Sequence, residues 1–558
     1  MLFMRYKKNK RAEEIEVEEI FLDSKNMPGY HKENLEGRVE NPVKSRIFTH
    51  LASVFLAIFF VFLGRAVYLQ AVTGEALRER AEKNYLKISA IVPERGLIYD
   101  RNGKPLLENS TSTRKYFAEG FLHLVGYAKN EGGASGLEAN YEDILKGTAG
   151  KSIEEVDAKG NIVSSGIGEN PRAGTNLLTS IDKDLQIKLT EIIKSVADER
   201  GFTGGAGVVI DVRTGEILAM TSVPEFDPNL LGAGNKVSFE AIAGLINNPN
   251  KPFINRAVSG LYPPGSIVKP AVALGALKEG IIDPSKQILS TGSISIPNPY
   301  FPDKPSVFPD WKALGWVDMR SAIAYSSDVY FYEVGGGFQD QKGLGAFNLK
   351  KYFSLFGFGE PTGIDLQGEK TGFVPAPDNH KNPRAWTIGD TYHMAIGQGE
   401  MLVTPMQMAV YVASIASDGV MQYPHIVQAI VDNDKKVIEK LSYAPKKTNM
   451  LPKELFVIVK EGMRGSATYG TASGLSGLPI QVGAKTGTAE IGDTGRVHSW
   501  SIGFLPYEKP RLAYVILLES GSAQNLVGAT YAASQMIGWM AGNNFLLKLD
   551  NDIILSMR

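Results

Sequence analysis

At 558 residues the chain is long enough for more than one domain, at ~100–200 residues each. Its 43% hydrophobic and 21% charged content suits a folded protein with a sizeable core. A formal net charge of −1 excludes a nucleic-acid partner held by bulk electrostatics, and zero cysteines exclude disulfides, thiolate catalysis and cysteine metal sites.

Residues 1–46 are polar, with a basic start (Arg5, Lys7, Lys8, Lys10, Arg11) followed by an acidic run from Glu13 to Glu19. They read as a disordered or loosely helical cytoplasmic tail. Ile47 to Leu63 is almost wholly apolar, and extended to Leu69 it approaches the ~20 residues that cross a bilayer. The long tail before it and the missing small-residue cleavage pattern favour a membrane span over a cleaved signal peptide. Lys44 and Arg46 favour an inside N-terminus, which puts everything after residue 69 outside the membrane.

Residues 70–177 read as a small mixed α/β module. It begins with a helix leaving the membrane, then a strand through Ser89 to Val92. Asn102-Gly103, between apolar runs, predicts a hairpin turn, and a second hairpin is expected near Asp157–Gly160. Residues 178–545 follow as a larger domain, with 546–558 as a short tail. Asp182 and its neighbours cap a helix through Ala197, and Ala206–Val212 and Glu216–Met220 form two strands about the turn Arg213-Thr214-Gly215. A helical and loop-rich middle runs from Lys269 to about Ile480. Strands at Leu478–Ala489, Ser499–Leu505 and Arg511–Leu518 and a helix from Ala529 to Met540 close the chain. Two strands, a helical insertion, three strands and a packing helix imply an α+β domain with an antiparallel sheet flanked by helices.

Within that insertion Tyr262-Pro263-Pro264-Gly265 stops the preceding structure, and Ser266 opens an apolar helix through Lys278. Ser266 reads either as the helix N-cap or as a nucleophile, because Lys269 lies three residues on along the same face. A lysine desolvated by an apolar helix loses its proton more easily and can take one from the serine. Ser112…Lys115 and Ser180…Lys183 share the spacing, but in charged surroundings that leave the lysine solvated. Two further clusters could converge on Ser266: Ser326-Ser327-Asp328, at the junction of two helical patterns, and Lys485-Thr486-Gly487-Thr488, on a strand whose glycine would let a substrate backbone lie close. A second Lys370-Thr371-Gly372 lies among glycine and prolines and reads as a loop. Singly, the serines could be helix caps and Lys485 a solvated strand residue.

Together, in this order and spacing, the three clusters resemble the SxxK, SxN and KTG motifs of the class B penicillin-binding proteins. Arg95–Gly103 resembles the family's motif just outside the membrane. Phe308-Pro309-Asp310-Trp311, Phe356–Gly359, Thr362–Leu366 and Gly397-Gln398-Gly399 look most like its elongation-type branch, penicillin-binding protein 2. Asp328 stands where most of the superfamily has Asn, and the stretch between Gly103 and Gly126 is shorter than the head region of most relatives.

The resemblance implies a peptidoglycan D,D-transpeptidase that cross-links stem peptides through an acyl-serine and is inhibited covalently by β-lactams. It implies Ser266 as nucleophile, Lys269 as base, and Ser326, Asp328 and Lys485 completing the proton network. Lys485, Thr486 and Thr488 would hold the terminal carboxylate beside Gly487, and the backbone N–H groups of Ser266 and Thr488 would form the oxyanion hole. No cofactor is implied. Some relatives carry a metal near the middle motif, but Leu314-Gly315-Trp316 and the lack of cysteine argue against one here. The implied partners are a D-Ala-D-Ala donor, an amine acceptor, the membrane and a SEDS-type glycosyltransferase. A carboxypeptidase, a class D-like β-lactamase or a non-catalytic β-lactam sensor are the alternatives.

Overall fold

The computed structural model describes residues 45–78, 86–110, 114–117, 119–128, 134–156, 161–231, 239–298, 301, 303–381, 383–525 and 528–549. The tail before residue 45, the hairpin tip at 157–160, Ser112 and the last nine residues lie outside these. The chain divides into two compact units, residues 1–89 with 153–166, and the remainder.

The first unit holds the apolar helix Ser45–Val67, prolonged by a π-helical turn Tyr68–Val72. From Arg46 to Val72 it spans 27 residues. At 1.5 Å per residue that is ~40 Å, enough to cross a hydrocarbon core of ~30 Å with tilt. Its large side chains, Phe48, Phe55, Phe59, Phe60 and Phe62 among them, are exposed, as suits a lipid-facing helix and no aqueous one. Most of a three-stranded sheet in the order Leu86–Ile91, Gly150–Val156, Ile162–Glu169 belongs to the same unit.

The second unit is built on a five-stranded antiparallel sheet. Its strands are β1 (Gly204–Asp211), β2 (Ile217–Val223), β3 (Gly483–Glu490), β4 (Arg496–Leu505) and β5 (Leu512–Ser522), in the order β3-β4-β5-β1-β2. The first two and last three strands therefore form one sheet across some 260 intervening residues, as the element order implied. β5 shows why it is a central strand. Tyr514, Ile516 and Leu518 pack into one core with the helices α1 (Lys183–Arg200) and α7 (Gly528–Gly542). The alternate Ala513, Val515 and Leu517 pack into another with the insertion. α1 is capped as expected, Asp182 accepting from the N–H groups of Asp184 and Leu185 and Gly201 closing it in the left-handed conformation.

The insertion supplies α2 (Lys269–Lys278), α3 (Met319–Tyr325), α4 (Asp328–Gly336), α5 (Pro405–Ala416) and α6 (Lys453–Thr468). α5 is buried along its whole length and lies over β1, β4 and β5. The insertion departs from the helical and loop-rich expectation in carrying short ribbons. Ile288–Ser290 pairs with Gly315–Val317, and Ser293–Ile296 with Ser306–Pro309. Strands Val427–Val431 and Val437–Lys440 join Asn176–Thr179 and Ile98–Tyr99 in a four-stranded sheet. These segments are too short for a period of two to stand out among prolines and glycines. The strand expected from Leu478 begins only at Gly483, since the Leu478 N–H turns back to Leu475 O (3.4 Å) and Pro479 withholds a ladder donor.

The Arg95–Gly103 segment is structural. Glu138, fully buried, accepts from Arg95 Nε at 2.7 Å and pairs with Arg114, while the Gly96 Cα lies so near Thr175 O that a Cβ would sit 2.0 Å from it. The expected turn is present: Asp100 N–H donates to Lys104 O at 2.8 Å, with Gly103 at φ +73°.

Candidate active site

Ser266 is delivered by a strap held at three of the four residues before it. Tyr262 exchanges backbone hydrogen bonds with Val403 (3.0 and 2.9 Å), Trp500 Nε1 donates to Pro263 O (3.1 Å), and Gly265 N–H donates to Gly397 O (2.8 Å). Gly265 has φ +59°, and its bare Cα lets the strap meet Thr488 on β3, where a Cβ would lie 2.7 Å from the Thr488 carbonyl. The chain then forms a 3₁₀ turn, Gly265–Val268, before α2 starts at Lys269-Pro270. The Tyr411 hydroxyl from α5 accepts from Ala271 N–H (3.0 Å) and donates to Ile267 O (3.3 Å), satisfying groups the turn leaves open. Ser266 is not an N-cap: neither the turn nor α2 has a side-chain cap bond, and its half-buried hydroxyl makes no hydrogen bond among the described residues.

Ser326 ends α3 in the left-handed conformation (φ 59°, ψ 40°), and Ser327 caps α4, accepting from Tyr330 N–H. A left-handed residue without a β-branch still costs ~1–2 kcal/mol, so its neighbours must hold it there. The elbow turns Ser326 toward both lysines. Lys485 Nζ donates to Ser326 Oγ at 2.7 Å, and Lys269 Nζ donates to Ser326 O at 2.7 Å and to its Oγ at 3.3 Å. Lys269 also pairs with Asp328 Oδ1 at 2.7 Å. Both lysines are fully buried. Burial first, and the charge of Lys269 second, hold the Lys485 amine well below the ordinary lysine range, with Asp328 opposing. The setting of Lys269 is therefore buried but not apolar, which corrects the sequence expectation. The carboxylate that pairs with it sits two residues past Ser326, beyond the reach of helix periodicity.

Gly487 also corrects its expected part. A Cβ there would come within 2.9 Å of Ile267 Cγ2 and of Pro264 O, so the missing side chain admits the Ser266 turn. Thr486 and Thr488 are half-buried on β3. Thr486 Oγ1 donates to Thr471 Oγ1 (2.7 Å), and Gln398 Nε2 donates to Thr488 O (3.4 Å). Neither Thr471 nor Gln398 was singled out by its own chemistry. Thr471 shows only as a threonine in the glycine-bounded loop after α6, and Gln398 only within the Gly397–Gly399 resemblance.

The competing motif copies fall elsewhere. Ser180 is buried with its hydroxyl on Ile217 O (2.7 Å), Lys183 reaches Pro105 O, and Lys370-Thr371-Gly372 is an exposed loop, as expected.

Residues 205–537 match the description "Penicillin binding protein transpeptidase domain", and residues 125–179 match "Penicillin-binding Protein dimerisation domain". The first match covers more than half of the chain and contains all three converging motifs. The chain belongs to the penicillin-binding protein transpeptidases. It is 28% identical to Peptidoglycan D,D-transpeptidase MrdA of Acinetobacter baumannii, covering 86% of this chain and 85% of that one. To the Escherichia coli K12 protein of the same name it is 27% identical, covering 87% and 93%. Among solved structures it is similar to Pseudomonas aeruginosa PBP2 in complex with WCK 5153, with TM-score 0.67, 30% identity and coverage of 81% and 97%. Helicobacter pylori PBP2 in complex with MreC gives TM-score 0.67, 26% identity and coverage of 82% and 100%. In this penicillin-binding protein the middle motif reads Ser326-Ser327-Asp328, and among the described residues no group of three His, Asp or Glu is placed to hold a metal ion.

Proposed function

We propose that Ser266 is the acylated nucleophile of a peptidoglycan D,D-transpeptidase. The observation that carries this reading is the Ser326 hydroxyl held between two buried lysines from two other motifs, beside the turn that presents Ser266. Burial and the neighbouring Lys269 hold the Lys485 amine well below the ordinary lysine range, so its lone pair is open to a proton passed through Ser326 Oγ. Passage of that proton from Lys269 across Ser326 Oγ to Lys485 leaves Lys269 neutral, one turn from Ser266. Lys269 then takes the Ser266 proton as Oγ attacks the penultimate D-Ala carbonyl carbon of a stem peptide. The C–N bond breaks, the proton returns through Ser326 to the leaving D-Ala amine, and an ester remains on Ser266. An acceptor amine attacks the ester, the C–O bond breaks, and Ser266 regains its proton as the cross-link forms. Asp328 holds Lys269 in place between these steps.

Lys485, Thr486 and Thr488 form the edge at which a terminal carboxylate is held, and Thr486 turns its hydroxyl from Thr471 to the ligand. Backbone N–H groups of Ser266 and Thr488, drawn together by the bare Gly265, stabilise the oxyanion; in comparable enzymes losing one such donor costs ~2.7–4 kcal/mol. The same reaction with a β-lactam carbonyl gives a stable adduct. Lys44 and Arg46 before the apolar helix favour a cytoplasmic N-terminus with the catalytic unit outside. A membrane glycosyltransferase that makes the glycan strand is the fitting partner, in keeping with the similarity (TM-score 0.67, 26% identity) to a peptidoglycan synthase complex that coordinates polymerization and crosslinking.

Mass spectrometry after incubation with penicillin tests the site. The adduct is expected on the Ser266 peptide and absent in Ser266→Ala. An adduct formed at the same rate in Ser266→Ala would overturn the assignment.

A further inference from the structure

The elbow that carries Ser326 is not held by its own motif alone. Asp310, buried in the loop between strands Ser306–Pro309 and Gly315–Val317, spends one carboxylate oxygen on three donors. Its Oδ2 accepts from Ser327 Oγ (2.8 Å), Val329 N–H (3.1 Å) and Ser290 Oγ (3.0 Å). Oδ1 accepts from Trp311 N–H (2.9 Å), and the Asp310 N–H donates to Gly292 O (2.8 Å). The next residue reaches the other arm of the elbow: Trp311 Nε1 donates to Tyr325 O (3.0 Å). Consecutive loop residues thus hold the last residue of α3 and the first turn of α4, on both sides of Ser326. A carboxylate at the N-terminus of α4 is well matched to its open N–H groups. No hydrogen bond or ion pair joins either residue to Lys269 or Lys485 among the described residues.

We infer that Asp310 is a positioning residue, which with Trp311 clamps both arms of the α3–α4 elbow so that Ser326 stays left-handed with its hydroxyl between the two lysines. Neither residue meets substrate; both act through Ser326. The inference rests on the relay proposed for Ser326, and the test separates the two.

The measurement is the second-order acylation rate with a fluorescent penicillin for Asp310→Asn, Ser326→Ala and the double variant, each with its melting temperature. Asn returns a single carbonyl oxygen and turns an amide toward a donor. Asp310→Asn is expected to lower the rate about tenfold or more in the Ser326 background, and by less than about twofold in the Ser326→Ala background, since residues acting through one group are not additive. A merely structural role gives losses that multiply, and that result overturns the inference. Trp311→Phe guards against a folding defect. The substitution removes the indole N–H at a residue that is 55% exposed, so the smaller ring opens no cavity in the core. It is expected to lower the rate severalfold, again only when Ser326 is present. A wild-type rate for Asp310→Asn beside a slow Ser326→Ala overturns the clamp alone. A wild-type rate for Ser326→Ala overturns the relay.

Discussion

Gly487→Ala distinguishes two reasons for a glycine in the third motif. The new Cβ would lie 2.9 Å from Ile267 Cγ2, 2.9 Å from Pro264 O and 3.3 Å from Trp500 Cβ. Carbon contacts settle near 3.5–4.0 Å, so β3 and the Ser266 turn must part by roughly half an ångström. The wall that yields is the turn, because β3 is laddered to β4 through eight registered pairs while the turn is a single 3₁₀ loop. Ser266 lies next to Ile267 and two residues from Pro264, so it moves with them. A misplacement of 1 Å can cost ~10²-fold in rate, which puts the expected loss in acylation at about tenfold. Overpacking should also lower stability by ~1–3 kcal/mol. The assay is the acylation rate with a small fluorescent penicillin beside the turnover of a stem-peptide substrate, read with thermal unfolding. If the turn is the cause, both reactions fall together. A variant that acylates penicillin at the wild-type rate and fails only with the peptide would refute this reasoning and return Gly487 to the substrate.

Two further perturbations test the charges. Lys485→Met is expected to abolish turnover while raising the melting temperature at pH 7. The buried amine sits well below the ordinary lysine range, so below pH ~10 the unfolded chain binds a proton that the folded one does not. Stability of the native protein therefore rises with pH over that window, and the advantage of the Met variant should shrink as pH approaches 10; an advantage constant from pH 7 to 10 would contradict this. Glu225 is raised to about 7 by burial, against backbone N–H groups of Gly120, Leu122 and His123 that favour its charge. An acid raised on folding is most stabilising when protonated, so the stability it contributes is lost as pH climbs from about 4.5 to about 7. Glu225→Gln should gain on the native protein across that interval by at most ~3 kcal/mol, and parallel denaturation curves at pH 5 and 7.5 would exclude the shift.

The sheet was legible because its strands are long and apolar on both faces, and the start of α1 because Asp182 caps it; its end, closed by Gly201 past the expected Ala197, was not. The three motifs were legible as residue types at fixed spacing. What spacing could not give is direction. Lys269, Ser326 and Lys485 are visible in one dimension, but their hydrogen bonds cross between 57 and 159 residues of chain. For the same reason the Asp310 clamp could not be read beforehand: it needs the elbow between α3 and α4 to be turned first. The short ribbons around Ile288–Val317 escaped because three- and four-residue strands show no period.

Glycine shows the limit most directly. The sequence marks Gly487 as a place where a guest backbone comes close, Gly265 as a stop and Gly397 as part of a glycine-rich run. In the fold the guests are the protein's own segments. Gly397 at φ +74° would drive a Cβ to 2.3 Å from Gly265 O, Gly265 accommodates Thr488, and Gly487 accommodates Ile267 and Pro264. The three bare positions stack the Gly397 loop, the Ser266 strap and β3 against one another. That stacking sets the turn that carries Ser266 against the edge strand of the sheet. In the proposed mechanism the lysines supply the chemistry at Ser266, and the glycines fix the distance at which it acts.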